Sequence, residues 1–241
     1  MRAEARRQLK QDKFSKATLE VAEQTFDWSA EHKGTVIVGA VILAVIIAIV
    51  VGGWYYTEQQ DEKASVDFTK AVQTLDTQLR PAGMPAQPDN PSFASATERA
   101  TEAHKEFQAI ADKYPHTHAA DYAHYFLGVT SADLGDNVAA ESDLKTVAAY
   151  HDSDLSALAK MALASVYRNT NRTKDAIDIY KQLMQKPAST VGKSAAEMAL
   201  ADTYQAAGMT AEARKEYQQI QKENPTGTAS SLAAAKLQQL K

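Results

Sequence analysis

The sequence predicts an all-helical protein: a single N-terminal transmembrane helix, an α-solenoid of about four helical hairpins, and a C-terminal capping helix. Three observations carry this. A small-residue register recurs three times in the C-terminal half, as Leu127-Gly128…Gly135…Ala140…Leu144, Leu163-Ala164…Tyr167…Asn171…Ala176…Tyr180 and Leu200-Ala201…Tyr204…Gly208…Ala213…Tyr217…Pro225. An uncharged run of 23 residues, Gly34 to Tyr56, precedes it. The composition has 10 Gly and 7 Pro among 241 residues, and the prolines sit mostly between periodic segments.

In each copy of the register the leucine precedes the central alanine by 13 residues, and a large side chain follows that alanine by four. This is the spacing of two short antiparallel helices that approach closely. The small residues let the backbones meet, and the leucines and aromatics fill the space beside them. One hairpin cannot bury its apolar face alone, so stacked copies share a continuous core.

At about 1.5 Å per residue the Gly34–Tyr56 run crosses a hydrocarbon layer of roughly 30 Å. It closes on Trp54-Tyr55-Tyr56, an aromatic cluster suited to the headgroup boundary. A cleaved signal peptide fits less well. The run is too long, a 33-residue tail precedes it, and it ends in bulky aromatics instead of a small-residue cleavage site. Residues 1–33 carry seven Lys/Arg, whereas the first twenty residues beyond Tyr56 carry Lys63 and Lys70, so the N-terminus is expected in the cytoplasm and the solenoid on the opposite side. Ala40, Ala44, Ala48 and Gly52 form a four-residue ridge along the span. The ridge suits close approach by another helix, or simply reflects how common alanine is in membrane helices.

The expected divisions are a cytoplasmic tail (1–33) with an amphipathic helix over 8–31, the membrane anchor (34–56), and a degenerate first hairpin (57–115). Three regular hairpins (116–227) and the cap (228–241) follow. In the first hairpin, helical spacing over Glu58–Leu79 is broken by a Pro-rich loop (80–92, with Pro81, Pro85, Pro88 and Pro91) and resumes over Phe93–Tyr114. The central alanines Ala103, Ala140, Ala176 and Ala213 step by 37, 36 and 37 residues. Because 13 residues separate leucine from alanine in every clear copy, the length beyond a 34-residue period lies between hairpins.

These residues resemble the tetratricopeptide repeat over about Ala64–Leu240, with His124, Lys160 and Glu197 standing where that repeat has tryptophan. The layout of charged tail, single span ending in Gly52-Gly53-Trp54-Tyr55-Tyr56 and divergent repeats resembles the YfgM family, ancillary to the bacterial Sec translocon. That resemblance implies an inner-membrane protein with a periplasmic repeat domain, whose partners are translocon subunits, periplasmic chaperones or exported chains.

The chain has no cysteine, so thiol chemistry and disulfides are excluded. Residues 57–241 hold 19 Lys/Arg against 24 Asp/Glu, an acidic balance that argues against nucleic acid as a partner. No phosphate loop, nucleophile elbow or HExxH motif occurs, so neither catalytic residues nor a cofactor is expected. His116, His118, Asp121 and His124 are the nearest approach to a metal site, but they fall on a turn and a helix start, where nothing makes them converge. The expected functional surface is instead the face lined by the first helix of each hairpin. Its residues are Tyr122, Tyr125, Val129 and Asp133; Leu158, Met161, Ser165, Arg168 and Asn169; Met198, Asp202 and Gln205. This mixture of aromatic, adaptable methionine and sparse polar groups suits apolar or unfolded peptide segments; packing between hairpins is the alternative role for Leu158 and Met161.

Overall fold

The computed structural model describes residues 33–81, 83–84, 92–223 and 225–240, without the side chains of 33–37, 39 and 40. The expected tail helix, and residues 82 and 85–91 of the Pro-rich loop, lie outside the described residues. The described residues form nine helices and no strand: α1 (Lys33–Asp76), α2 (Ala96–Lys113), α3 (His118–Asp133), α4 (Asn137–Ala148), α5 (Ser153–Asn169), α6 (Thr173–Gln185), α7 (Lys193–Ala206), α8 (Thr210–Glu223) and α9 (Thr228–Gln239).

The chain divides into two compact units, residues 1–58 and 59–241. The first contains the apolar run, whose side chains are exposed, as at Ile49 (67%) and Val50 (63%). By length and composition, α1 is apolar enough to cross a membrane, with a mean hydropathy of 1.9 over its best window. The anchor division (34–56) and the first helix of the first hairpin fall on one helix. No helix breaker lies between Tyr56 and Ala64, and α1 continues through Asp76.

In the second unit each hairpin joins a first helix, A (the end of α1, then α3, α5 and α7), to a second helix, B (α2, α4, α6 and α8), and each B helix carries one buried stripe: Ala103, Phe107, Ile110; Ala140, Leu144, Val147; Ala176, Tyr180, Leu183; Ala213, Tyr217, Ile220. The i, i+4, i+7 spacing places each triplet on one helix face. The facing A helices bury a matching set: Ala123, Leu127 and Thr130; Ala159, Leu163 and Val166; Ala196, Leu200 and Thr203. Buried Ala64 and Ala71 with half-buried Phe68 repeat that spacing in α1, and Ala233 with half-buried Leu237 begins it again in α9. The cap is therefore an A-type helix. Full burial of each Leu, Phe or Ile contributes about 1.5–3 kcal/mol, so the stripes supply most of the cohesion.

The core falls into two clusters. One joins α1, α2 and α3 through Ala64, Ala71, Phe107, Tyr114 and Leu127, with Phe68 and Phe126 packed on it. The other runs from Ala140 to Ala233. The second hairpin straddles the seam, where Gly128 of α3 meets Leu144 of α4. A Cβ on Gly128 would lie 2.6 Å from Leu144 Cγ.

Helix ends follow local chemistry. Ser95, Thr117, Asp136 and Asp152 cap α2, α3, α4 and α5 through side-chain acceptors. Glu98 reaches back to the Ala94 N–H (2.7 Å), which starts α2 at Ala96, three residues later than the periodicity suggests. The ends of the Pro-rich loop are pinned together, with Arg80 N donating to Phe93 O (2.8 Å).

The A-to-B turns of the regular hairpins share a left-handed residue: Gly135 (φ 82°), Asn171 (φ 62°) and Gly208 (φ 73°). Replacing Gly135 by alanine is expected to cost about 1 kcal/mol because its Cβ clashes in that region, and Asn171→Gly is expected to be neutral or slightly stabilising. Urea denaturation of both variants checks the pair, and equal effects would contradict the turn assignment.

Candidate functional site

From α2 to α9 sequential helices pack as neighbours, and two pairs of next-but-one helices also approach: α3 touches α5, and α7 touches α9. No comparable approach links α5 to α7, α4 to α6 or α6 to α8 among the described residues. Both contacts join the first helix of a hairpin to the next first helix or the cap, and the first helices are those on which the sequence placed its candidate surface.

The candidates stand as follows. Asp133 and Asn169 are exposed; Tyr122, Tyr125, Val129, Leu158, Met161, Ser165, Arg168, Met198, Asp202 and Gln205 are half-buried. Tyr122, Tyr125, Leu158, Met161 and Met198 rest against the core while keeping part of their surface outside. Tyr122 meets the Phe68 ring edge-on at 6.2 Å, and Tyr125 meets Phe126 at 5.1 Å. Burial pushes the Tyr125 hydroxyl up from its ordinary pKa, so it stays protonated and able to donate.

Two polar candidates are held inside the stack. The Tyr217 hydroxyl shares its proton between Asp202 Oδ1 (2.6 Å) and Gln205 Oε1 (2.8 Å). Asp202 Oδ1 also pairs with Lys236 of the cap at 3.1 Å. At the C-terminal end of the face the free polar groups are therefore fewer than the sequence suggests. On the small-residue ridge of α1, Ala44, Ala48 and Gly52 are exposed, and the Ala40 side chain lies outside the described residues.

The histidines do not converge. His116 sits exposed in a turn with φ 69°, and His118 begins α3, its backbone N–H held by Asp61 Oδ1 (3.0 Å). Among the described residues no group of three or more His, Asp or Glu is placed to hold a metal ion.

Polar clasps between elements escaped sequence reasoning. Asp67 of α1 accepts from the Tyr114 hydroxyl (2.7 Å) and from Lys113 (3.2 Å), which closes α1 on the end of α2. Glu141 of α4 pairs with Lys145 and Arg172, both at 2.7 Å, and accepts from the Tyr167 hydroxyl at 3.1 Å. Arg172 lies over the Tyr167 ring at 4.0 Å and also pairs with Asp175. Lys145, then Arg172 and Tyr167, hold the Glu141 carboxyl down to about 2 from an ordinary value of 4.5. Its contribution to stability is complete above pH 4.5 and disappears as pH falls toward 2. The melting temperatures of the protein and its Glu141→Gln variant are therefore expected to differ at pH 6 and to converge on acidification through that window. A constant gap would remove the clasp from the stability account.

Stacked helical hairpins with partly exposed apolar side chains along their first helices are the architecture of an interaction scaffold. A family model for the tetratricopeptide repeat-like domain matches residues 27–241. The chain belongs to that family. Comparison with curated proteins and with solved structures finds no match.

Proposed function

We propose that this protein is a membrane-tethered accessory of protein export. Its α1 run would anchor it in the bacterial inner membrane with the N-terminus cytoplasmic, and its A-helix face would receive apolar segments of exported chains or of a chaperone in the periplasm. The reading is supported chiefly by the half-exposed Tyr122, Tyr125, Leu158, Met161 and Met198 following, in one chain, a run long and apolar enough to span a bilayer. The Lys/Arg bias of the tail supports the orientation, and the resemblance to the YfgM family supports the translocon as neighbour. Tethering makes a weak groove useful, because a binding site held beside emerging chains works at a high effective concentration.

The test is in-cell crosslinking followed by purification from membranes. Recovery of translocon subunits, reduced by Leu158→Glu with Met161→Glu, is the expected result. Recovery of wall-synthesis or outer-membrane-assembly factors alone would overturn it in favour of a scaffold for another envelope complex. Protease added to intact spheroplasts should digest the repeats, and full protection would overturn the orientation.

A further inference from the structure

Seven residues (186–192) join α6 to α7, whereas four join α2 to α3 (114–117) and α4 to α5 (149–152). The third and fourth hairpins share one register, since a shift of 37 residues carries Leu163 to Leu200 and Tyr180 to Tyr217. The same shift carries Ser153, Asp154 and Leu155, the first turn of α5, to Thr190, Val191 and Gly192, which precede α7. The fourth hairpin thus has the first turn of its A helix unwound. Its residues explain why: Thr190 and Val191 are β-branched and Gly192 disfavours helix. Gly192 also starts α7 without a side-chain cap, where Thr117 and Asp152 cap α3 and α5.

The unwound strap is fastened to α5 at one residue. The backbone N–H groups of Ser189 and Thr190 donate to Asp154 Oδ1 at 2.8 and 3.3 Å, and the Thr190 hydroxyl donates to Asp154 O at 2.8 Å. Val191 is buried, whereas Lys186, Pro187, Ser189, Thr190 and Gly192 are exposed. A segment with so little buried surface and with hydrogen bonds open to water lies at the low end of local stability. Its flanks are firmer. Tyr180 and Leu183 of α6 belong to the core. Beyond the strap, Lys193 pairs with Glu197 (3.0 Å) and with Glu223, which ties the first turn of α7 to α8. Lys236 and Leu240 O then tie α9 to Asp202 of α7 and Arg214 of α8. Between the Asp154 latch and the Lys193 bridge stand only Val191 and Gly192. A Cβ on Gly192 would meet nothing within 4 Å, so no packing opposes rotation there. Across the same junction α5 and α7 lack the approach that joins α3 to α5.

We infer that the 186–192 strap is a latched hinge. With Asp154 engaged, α5 and α7 keep the spacing described above. With the latch open, α7, α8 and α9 pivot together at Val191-Gly192 over the apolar face of α6. Met161 of α5 and Met198 of α7 occupy equivalent positions, 37 residues apart, on opposite sides of the pivot. The hinge therefore sets the gap between two apolar contacts of the A-helix face, and an apolar segment bound there selects the width that fits it. The hinge rests on the export reading only for what occupies that face.

The experiment measures distances between nitroxide spin labels in the full chain, held in lipid nanodiscs, by double electron–electron resonance. The chain has no cysteine, so only introduced thiols carry label. Ser142, Asp178 and Lys215 stand at equivalent exposed positions on α4, α6 and α8. Ser142→Cys with Asp178→Cys spans the four-residue junction, and Asp178→Cys with Lys215→Cys spans the strap. The second pair should give the broader distribution. Asp154→Ala should broaden or shift it further and leave the first pair unchanged, while amide exchange at Ser189 and Thr190 rises about tenfold. Asp154→Asn, whose amide oxygen still accepts, should restore the parent distribution. Gly192→Pro suits the present φ of −70° and should narrow the second pair even beside Asp154→Ala. Equal widths for the two pairs overturn the hinge, as does Asp154→Ala leaving the second pair unchanged or altering both alike. These distances require no partner. If translocon subunits are not recovered while the second pair responds, the export reading fails and the hinge stands; the reverse outcome removes the hinge alone.

Discussion

Alanine in place of Gly128 is expected to destabilise the solenoid by about 1–3 kcal/mol, a large effect for one methyl group on a helix that otherwise favours alanine. The new Cβ would stand 2.6 Å from Leu144 Cγ and 2.9 Å from Cδ2, with the Leu144 backbone nitrogen at 3.3 Å, so the side chain must swing out or α3 and α4 must part. Neighbouring hairpins show what accommodates the methyl: Ala164 and Ala201 occupy the corresponding position, and Tyr180 and Tyr217 stand where Leu144 does. Adding Leu144→Tyr should therefore recover part of the loss. A double-mutant cycle by urea denaturation measures it. Additive costs would show that the contact between positions 128 and 144 is not what sets the helix spacing.

Alanine in place of Phe107 should cost about 3–5 kcal/mol, and the loss should be confined to one part of the solenoid. Phe107 is fully buried and stacks on Phe126 at 4.7 Å with an interplanar angle of 8°, and it meets Phe68 at 5.7 Å. These rings join α1, α2 and α3 and belong to the first core cluster. In a linear stack each hairpin answers mainly to its neighbours. Hydrogen exchange of Phe107→Ala is expected to show fast exchange over α2 and α3, while amides around Leu163, Tyr180 and Leu200 keep their protection. Uniform loss along the chain would mean that the two clusters unfold as one.

The hairpins were legible because their signal is local. A small residue, a large one four positions on, and another three further specify a buried stripe within a single helix, and Ala103, Phe107 and Ile110 announce it as clearly as Ala213, Tyr217 and Ile220. The change from apolar to charged residues at Glu58 marks a change of surroundings, and nothing there stops a helix, so α1 runs through it. The clasps left no local signal. Asp61 and His118 are 57 residues apart, and Glu141 and Arg172 are 31 apart, so their meeting depends on how hairpins stack and leaves no periodic trace. Asp202 and Gln205 sit at groove positions by count. Only the reach of the Tyr217 hydroxyl shows where their oxygens go.

The division of the core into two clusters acquires a further meaning along the axis of time. Every buried member of the first lies between Ala64 and Leu127, whereas the second needs residues as far as Ala233. At roughly 5–20 residues per second of synthesis, the first has all its parts on the order of 5–20 s before the second does. A chain still being made can thus close its leading hairpin around Phe107 while the later ones wait for their partners, and Gly128 is the last tooth of that early half, ready for Leu144 when it arrives.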